Sequence, residues 1–311
     1  MADSVNPILL EQLKKLQSKY DVMGQDISSY LDGLLYADYL TYWDYIHLDT
    51  LLSLQNPKTS FPDEKIFIIY HQITELYFKL ILLEIEQIAF NENLTEDFFV
   101  TRLNRMIQYF RQLESSFAVM VDGMEKDQFL KFRMALLPAS GFQSAQYRLI
   151  EICSTSIINI TSLSYRESPQ HEIKDHIENL YWKRGATELA SGKKTLTLRQ
   201  FEEKYMKTFL ETAIRYDDCN LLILQQTKFP DSENVKSRLR EFDQLANVLW
   251  PLAHLKSAGR YLQKDPEDIK ATGGTNWQKY LPPRFQRIIF FPNLWSEAEK
   301  AEWGKAAFKL E

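Results

Sequence analysis

Cysteine is nearly absent: the 311 residues contain two, Cys153 and Cys219. Two thiols exclude a disulfide scaffold and a cysteine-built zinc site, point to a reducing compartment such as the cytoplasm, and read most simply as small buried hydrophobes. Glycine and proline are also sparse, ten and eleven in all, and thinly spread. No Gly/Ser or Pro-rich tract stands as a linker, so the expectation is one domain over 1–311 with a polar inserted subregion at about 164–198. The net charge is −5 and no basic cluster occurs, which argues against nucleic acid as a partner. The amino terminus lacks the apolar run of a secretory signal, and no stretch is expected to reach membrane-span length. The HExxH, P-loop, nucleophile-elbow and dinucleotide-binding motifs are all missing.

What is present is helical periodicity. Apolar residues recur at Val235, Leu239, Phe242, Ala246, Leu249 and Ala253, and similar patterns cover about 7–21, 38–54, 63–90, 95–120, 144–163 and 199–227. Period-two strands are lacking, so the fold class is all-α, a helical bundle with appended helices. The aromatic content is high, with 16 Tyr, 19 Phe and 6 Trp, which suits flat pockets and ordinary cores alike.

The segment FIIYHQITELYFK, residues 67–79, sets His71, Gln72, Glu75 and Lys79 as a polar stripe on an otherwise apolar helix. His254, in LWPLAHLKSAGRYL, has small residues close by, and an interior glycine at 259 leaves room for a close approach. A flat macrocycle ligated by the imidazole fits that description; a core histidine bonded to a carbonyl fits it too. Arg133 follows Phe129 by four and precedes the turn LLPASGFQS, where Ser140 and Gln143 have the spacing of a capping box. The arginine can grip a carboxylate or serve in a surface ion pair. ATGGTNW places Thr272 before two glycines, a turn able to present N–H groups and a hydroxyl to a small anionic or zwitterionic ligand or simply to reverse the chain. Tyr42 and Tyr45 share a helical face in YWDYIHLD, and His171 and His176, five apart, read as solvated.

In order along the chain, TYWDYIHLDTLLSLQ, FIIYHQITELYFK, FRMALLPASGFQSAQYRLIE, WPLAHLKSAGRYL and ATGGTNW together resemble the heme-dependent tryptophan 2,3-dioxygenase family, over roughly 40–160 and 235–285. The resemblance implies an all-helical homotetramer with heme b, using O2 to convert L-tryptophan to N-formylkynurenine as the first step of the kynurenine pathway. His254 matches the axial iron ligand, and Ser140 and Gly141 fall in the cofactor-contacting turn. His71 matches the histidine that meets the indole N–H, with Phe67, Ile68, Ile69, Tyr70 and Phe129 around the substrate. Arg133 matches the carboxylate partner, Thr272 the residue at the ammonium and carboxylate end, and Tyr42 and Tyr45 the tyrosines that enter a neighbouring subunit's site. Two departures bear on function: the family usually has Gly-Thr-Gly-Gly-Ser-Ser-Gly where this chain has ATGGTNW, and Tyr77 replaces a usual tryptophan. Two other readings remain, a heme enzyme for a substituted indole and a non-catalytic heme-binding helical protein.

Overall fold

The computed structural model describes residues 6–37, 41–136, 143–166, 172–186, 193–262 and 282–305. The chain divides into two compact units, Met1–Asn56 and Pro57–Glu311.

In the first unit, α1 (Pro7–Val22) starts where Asn6 accepts the Ile8 N–H, and α2 (Ile27–Leu35) where Asp26 accepts that of Ser28. Both caps satisfy amides that a helix start leaves unpaired. The periodic stretch expected at 38–54 forms two short helices, α3 (Tyr42–Tyr45) and α4 (Leu48–Leu52), because His47 between them is left-handed at φ 50°. None of the four helices contains a buried residue. Tyr42 and Tyr45 are 71% and 74% exposed.

The second unit is built on α5 (Asp63–Ala89) and α6 (Glu96–Ser116), which pack along each other. Thr95 caps α6 by accepting the Phe98 N–H, and Glu96 and Asp97 complement its dipole. The stripe Phe99, Leu103, Met106, Phe110 and Leu113 faces Phe78, Ile81, Ile85 and Ile88 of α5 in one core. Short helices α7 (Ala118–Asp122) and α8 (Lys126–Phe132) follow, then a 3-10 turn over Arg133–Leu136. Helix α9 (Ala145–Ser154) packs on α5 and is capped by Ser144, which accepts the Tyr147 N–H; Ser140, expected at a cap, lies outside the described residues. The pattern expected to run to 163 stops at Ser154, and a 3-10 turn follows at Ile157–Ile160.

Residues 164–198 depart in part from the expected surface excursion: Ser164, Glu172, Lys174, Lys193 and Lys194 are exposed, but other described residues enter the core. After α10 (Leu163–Arg166), α11 (Ile173–Glu178) and the 3-10 turn Tyr181–Ala186 bury Ile177, Leu180 and Trp182. His176 is buried rather than solvated and meets Thr161 Oγ1 at 3.2 Å; His171 lies outside the described residues. Inside this region Tyr181 donates to Glu151 at 2.6 Å, and Glu151 pairs with Arg148. Helices α12 (Leu196–Arg215) and α13 (Leu221–Lys228) complete this side. Cys153 is buried and Cys219 half-buried, both as free thiols.

Helix α14 (Glu233–Gln244) runs through a π turn at Leu245–Leu249 into α15 (Trp250–Leu262). The expected inward stripe therefore breaks: Leu249 is 40% exposed while Trp250 is 5% exposed, because the extra residue of a π turn shifts the inward phase by one.

Helix α5 corrects another expectation, since by length and composition it is apolar enough to cross a membrane. Its one face packs on α6 and α9, and buried Glu84 pairs with Arg102 and Arg105. The opposite face carries Ile69, Ile73, Leu76, Leu80 and Leu83 exposed at alternating spacings of four and three.

Candidate active site

Four segments bring aromatic rings to one place in the second unit. From α5, Phe67 stacks on His71 with centroids 4.0 Å apart and reaches Phe129 at 6.5 Å and Phe132 at 5.9 Å on α8. Phe129 in turn meets Tyr261 of α15 at 4.6 Å. On the other side Tyr70 touches Phe117 at 5.7 Å, and Phe117 touches His254 at 4.5 Å. Trp250 closes edge-on against His254 at 4.4 Å. Such tilted and edge-on contacts are the favoured aromatic geometries and leave a rigid apolar wall.

Polar ties hold these elements in register. Asp63 accepts the Glu125 N–H at 2.6 Å, fastening the start of α5 to the start of α8. Ser257 donates to the Met120 carbonyl and Tyr261 to that of Met124, fastening α15 to the α7–α8 region. Gln146 of α9 donates to the Glu75 carbonyl and carboxylate, so Glu75 of the α5 polar stripe serves packing between helices, while Lys79 is exposed.

The two histidines are engaged alike. His71 Nδ1 lies 2.7 Å from the Phe67 carbonyl, and His254 Nδ1 lies 3.0 Å from the Trp250 carbonyl. A carbonyl only accepts, so each Nδ1 carries the proton, and each neutral ring presents Nε2 as a bare lone pair. Neither Nε2 meets a hydrogen-bond partner among the described residues. Burial pushes the His254 pKa down to about 4, with nearby His71 adding to the effect. Desolvation among the rings also lowers that of His71, against the upward pull of the Phe67 carbonyl and Glu75. His71 is nonetheless exposed to solvent, which weakens that effect. Both imidazoles are neutral at pH 7.

Arg133 follows Phe132 at the end of α8 and is 5% exposed, so it is not the surface ion-pair residue that pattern alone favours. Burial lowers its pKa from the usual arginine value, yet a guanidinium remains charged at any physiological pH. The remaining expected residues of FIIYHQITELYFK diverge. Ile69 is 44% exposed on the outer face of α5, Ile68 is half-buried, and Tyr70 is buried with its hydroxyl donating to the Leu113 carbonyl. Tyr42 and Tyr45 belong to the first unit, and Ser140, Gly141 and Thr272 lie outside the described residues. Sequence reasoning missed Phe117 and Phe132, whose contacts with Tyr70, His254 and Phe67 span long stretches of chain.

The donor set at His254 fits an axial iron ligand. Its Nδ1–H engages a backbone carbonyl, which fixes the tautomer and raises the basicity of Nε2, the arrangement that metal-bound histidines use. A Cβ built on Gly259 would meet nothing within 4 Å, so the helix has open space beside it. Around His71 the apolar wall and a bare acceptor suit a flat N–H-bearing ring, and the buried cation Arg133 directly follows Phe132, one of the rings of that wall.

Comparison with known proteins gives the same direction. The tryptophan 2,3-dioxygenase family model matches residues 34–254, a span that includes Phe67, His71, Phe129, Arg133 and His254. Proteins named tryptophan 2,3-dioxygenase from Ruegeria sp. and Herpetosiphon aurantiacus are each 29% identical, over 84% and 83% of this chain and 92% and 96% of their own lengths. One named tryptophan 2,3-dioxygenase 2, from Ralstonia nicotianae, is 42% identical over 36% of this chain and 33% of its own. With more than half of its length matched by the family model, this chain belongs to the tryptophan 2,3-dioxygenase family.

Proposed function

We propose that this chain is a heme-dependent tryptophan 2,3-dioxygenase, with His254 as the axial ligand, His71 as the partner of the indole N–H and Arg133 as the partner of the substrate carboxylate. The observation that carries the reading is the matched pair of neutral imidazoles in one aromatic pocket, each with Nδ1 held by its own helix and Nε2 open.

His71 works here as an acceptor. With its proton committed to the Phe67 carbonyl, Nε2 receives the indole N–H and fixes the angle of the ring. Phe67, Phe129 and Phe132 confine the indole and exclude water from its reactive face. Arg133 supplies a two-pronged charge for the carboxylate, and its burial strengthens that contact. When bound, heme supplies the reduced iron that activates O2 for insertion across the indole C2=C3 bond. No strong base is required of the protein, so His71 orients rather than deprotonates.

The chain is further proposed to act as a homo-oligomer, a homotetramer as in the resemblance. The exposed heptad-like stripe on α5 and a first unit without a single buried helical residue support this. Tyr42 and Tyr45 then serve a neighbouring subunit's site.

Heme titration tests the assignment. The wild type is expected to bind heme stoichiometrically with a histidine-ligated spectrum, and His254→Ala to lose that signature. Full heme content and an unchanged iron spectrum in His254→Ala overturn the axial role.

A further inference from the structure

The π turn before His254 leaves a buried carbonyl without a backbone donor. Trp250 N–H reaches back five residues to the Leu245 carbonyl, the defining bond of a π turn. The next bond in that series would run from residue 251 to the Ala246 carbonyl, but residue 251 is proline and has no N–H. Ala246 is fully buried, so its carbonyl cannot turn to water for a partner. The Tyr147 hydroxyl fills the position, donating to the Ala246 carbonyl at 2.8 Å from α9. The tyrosine is itself buried and packs against Phe78, which contacts Trp250. A second tie lies beside it, where Asn247 donates to Asp243 at 2.7 Å. Asp243 also gathers the Phe290 and Phe291 N–H groups and the Trp295 indole N–H.

We propose that Tyr147 is a positioning residue for the axial ligand: its hydroxyl replaces the N–H that Pro251 lacks, holds the π turn, and so sets the rotation of His254 toward the pocket. The π turn shifts the inward phase of the helix from Leu249 to Trp250, and His254 Nδ1 is anchored on the Trp250 carbonyl. A change in the turn therefore passes directly to the imidazole. The inference rests on the proposed role of His254, and its test is separable from that role.

The test is a double-mutant cycle on the full chain loaded with heme, comparing wild type, Tyr147→Phe, Pro251→Ala and the double variant. The readouts are the heme dissociation rate and the iron–imidazole stretching band of the ferrous protein, neither of which depends on turnover. Tyr147→Phe removes only the hydroxyl and is expected to weaken heme retention about tenfold, with a shifted band, at the low end of what a metal ligand loses with its own outer partner, because Tyr147 acts on that partner through the turn. In the Pro251→Ala background the restored N–H can serve Ala246, so most of the loss disappears. Equal losses in both backgrounds, or no change in rate and band in Tyr147→Phe, overturn the inference. Should Tyr147→Phe fail to fold alone, a double variant with normal heme retention supports it and a double variant that also fails contradicts it. A wild type that binds no heme sinks the functional reading itself, a distinguishable result.

Discussion

At the scale of the residue, the site turns on proton placement. In the proposed role, His71 accepts the indole N–H because its own N–H is spent on the Phe67 carbonyl. Loss of one such bond is worth about 1 kcal/mol, so His71→Ala is expected to reduce kcat/KM for L-tryptophan roughly fivefold to tenfold. With 1-methyltryptophan, which has no indole N–H, the gap between wild type and variant should close. An equal gap for both substrates would mean that His71 acts in another way. The buried charge at Arg133 predicts a larger effect. Arg133→Leu removes a charge-assisted contact of about 1.5–3 kcal/mol, so KM for tryptophan should rise about 10- to 100-fold, while weak turnover of tryptamine, which lacks the carboxylate, should change far less. The spacing of His71, Gln72, Glu75 and Lys79 made the polar stripe legible in the sequence, and Phe67 was reached through the resemblance. The rest of the aromatic cluster was not legible, because Phe132 meets Phe67, Phe117 meets Tyr70 and His254, and Tyr261 meets Phe129 across long chain separations. Arg133 had no local mark of burial, which is decided by the packing of α8.

At the scale of the element, the start of α5 carries much of the site's geometry. Glu64 is fully buried and receives the Lys58 N–H, the Thr59 N–H and the Thr59 hydroxyl at 2.6–2.7 Å. Burial alone would raise its pKa, but these bonds outweigh it and hold the carboxyl below the usual carboxylate range. A depressed folded-state pKa contributes stability above the unfolded value of 4.5 and loses it as pH falls through the folded value. Thermal unfolding measured from pH 7 down to pH 3 should thus show a loss of stability beginning near pH 4.5 that is reduced in Glu64→Gln. The variant itself should be less stable at pH 7 by about 2 kcal/mol. A wild type and variant with parallel pH profiles would remove Glu64 from the account. Helices α5, α6 and α14 were legible from their periodicity, yet the π turn was not. A spacing of 3.6 residues tolerates one extra residue over the seven turns from Val235 to Tyr261, and only Pro251 marked the break. His47 split another periodic stretch by a backbone angle that composition does not reveal.

At the scale of the whole molecule, the second unit holds a continuous core, while both the outer stripe of α5 and the helices of the first unit expose apolar side chains. Single exposed hydrophobics need no explanation, but a heptad-like row of five does. Leu76→Glu with Leu80→Glu should shift the protein to a smaller species in analytical ultracentrifugation, and an unchanged mass would place the subunit contact elsewhere. The all-α class followed from the sequence because no segment alternated with period two. The homotetramer was an expectation of the resemblance alone, since an outward apolar row and an inward one look identical before the helices are packed. The central claim remains the chemistry. The purified heme-loaded protein, reduced without oxygen, mixed with L-tryptophan and then exposed to 18O2, is expected to release N-formylkynurenine carrying two labelled oxygen atoms. Intact heme binding with no N-formylkynurenine, or product carrying a single labelled atom, would contradict it.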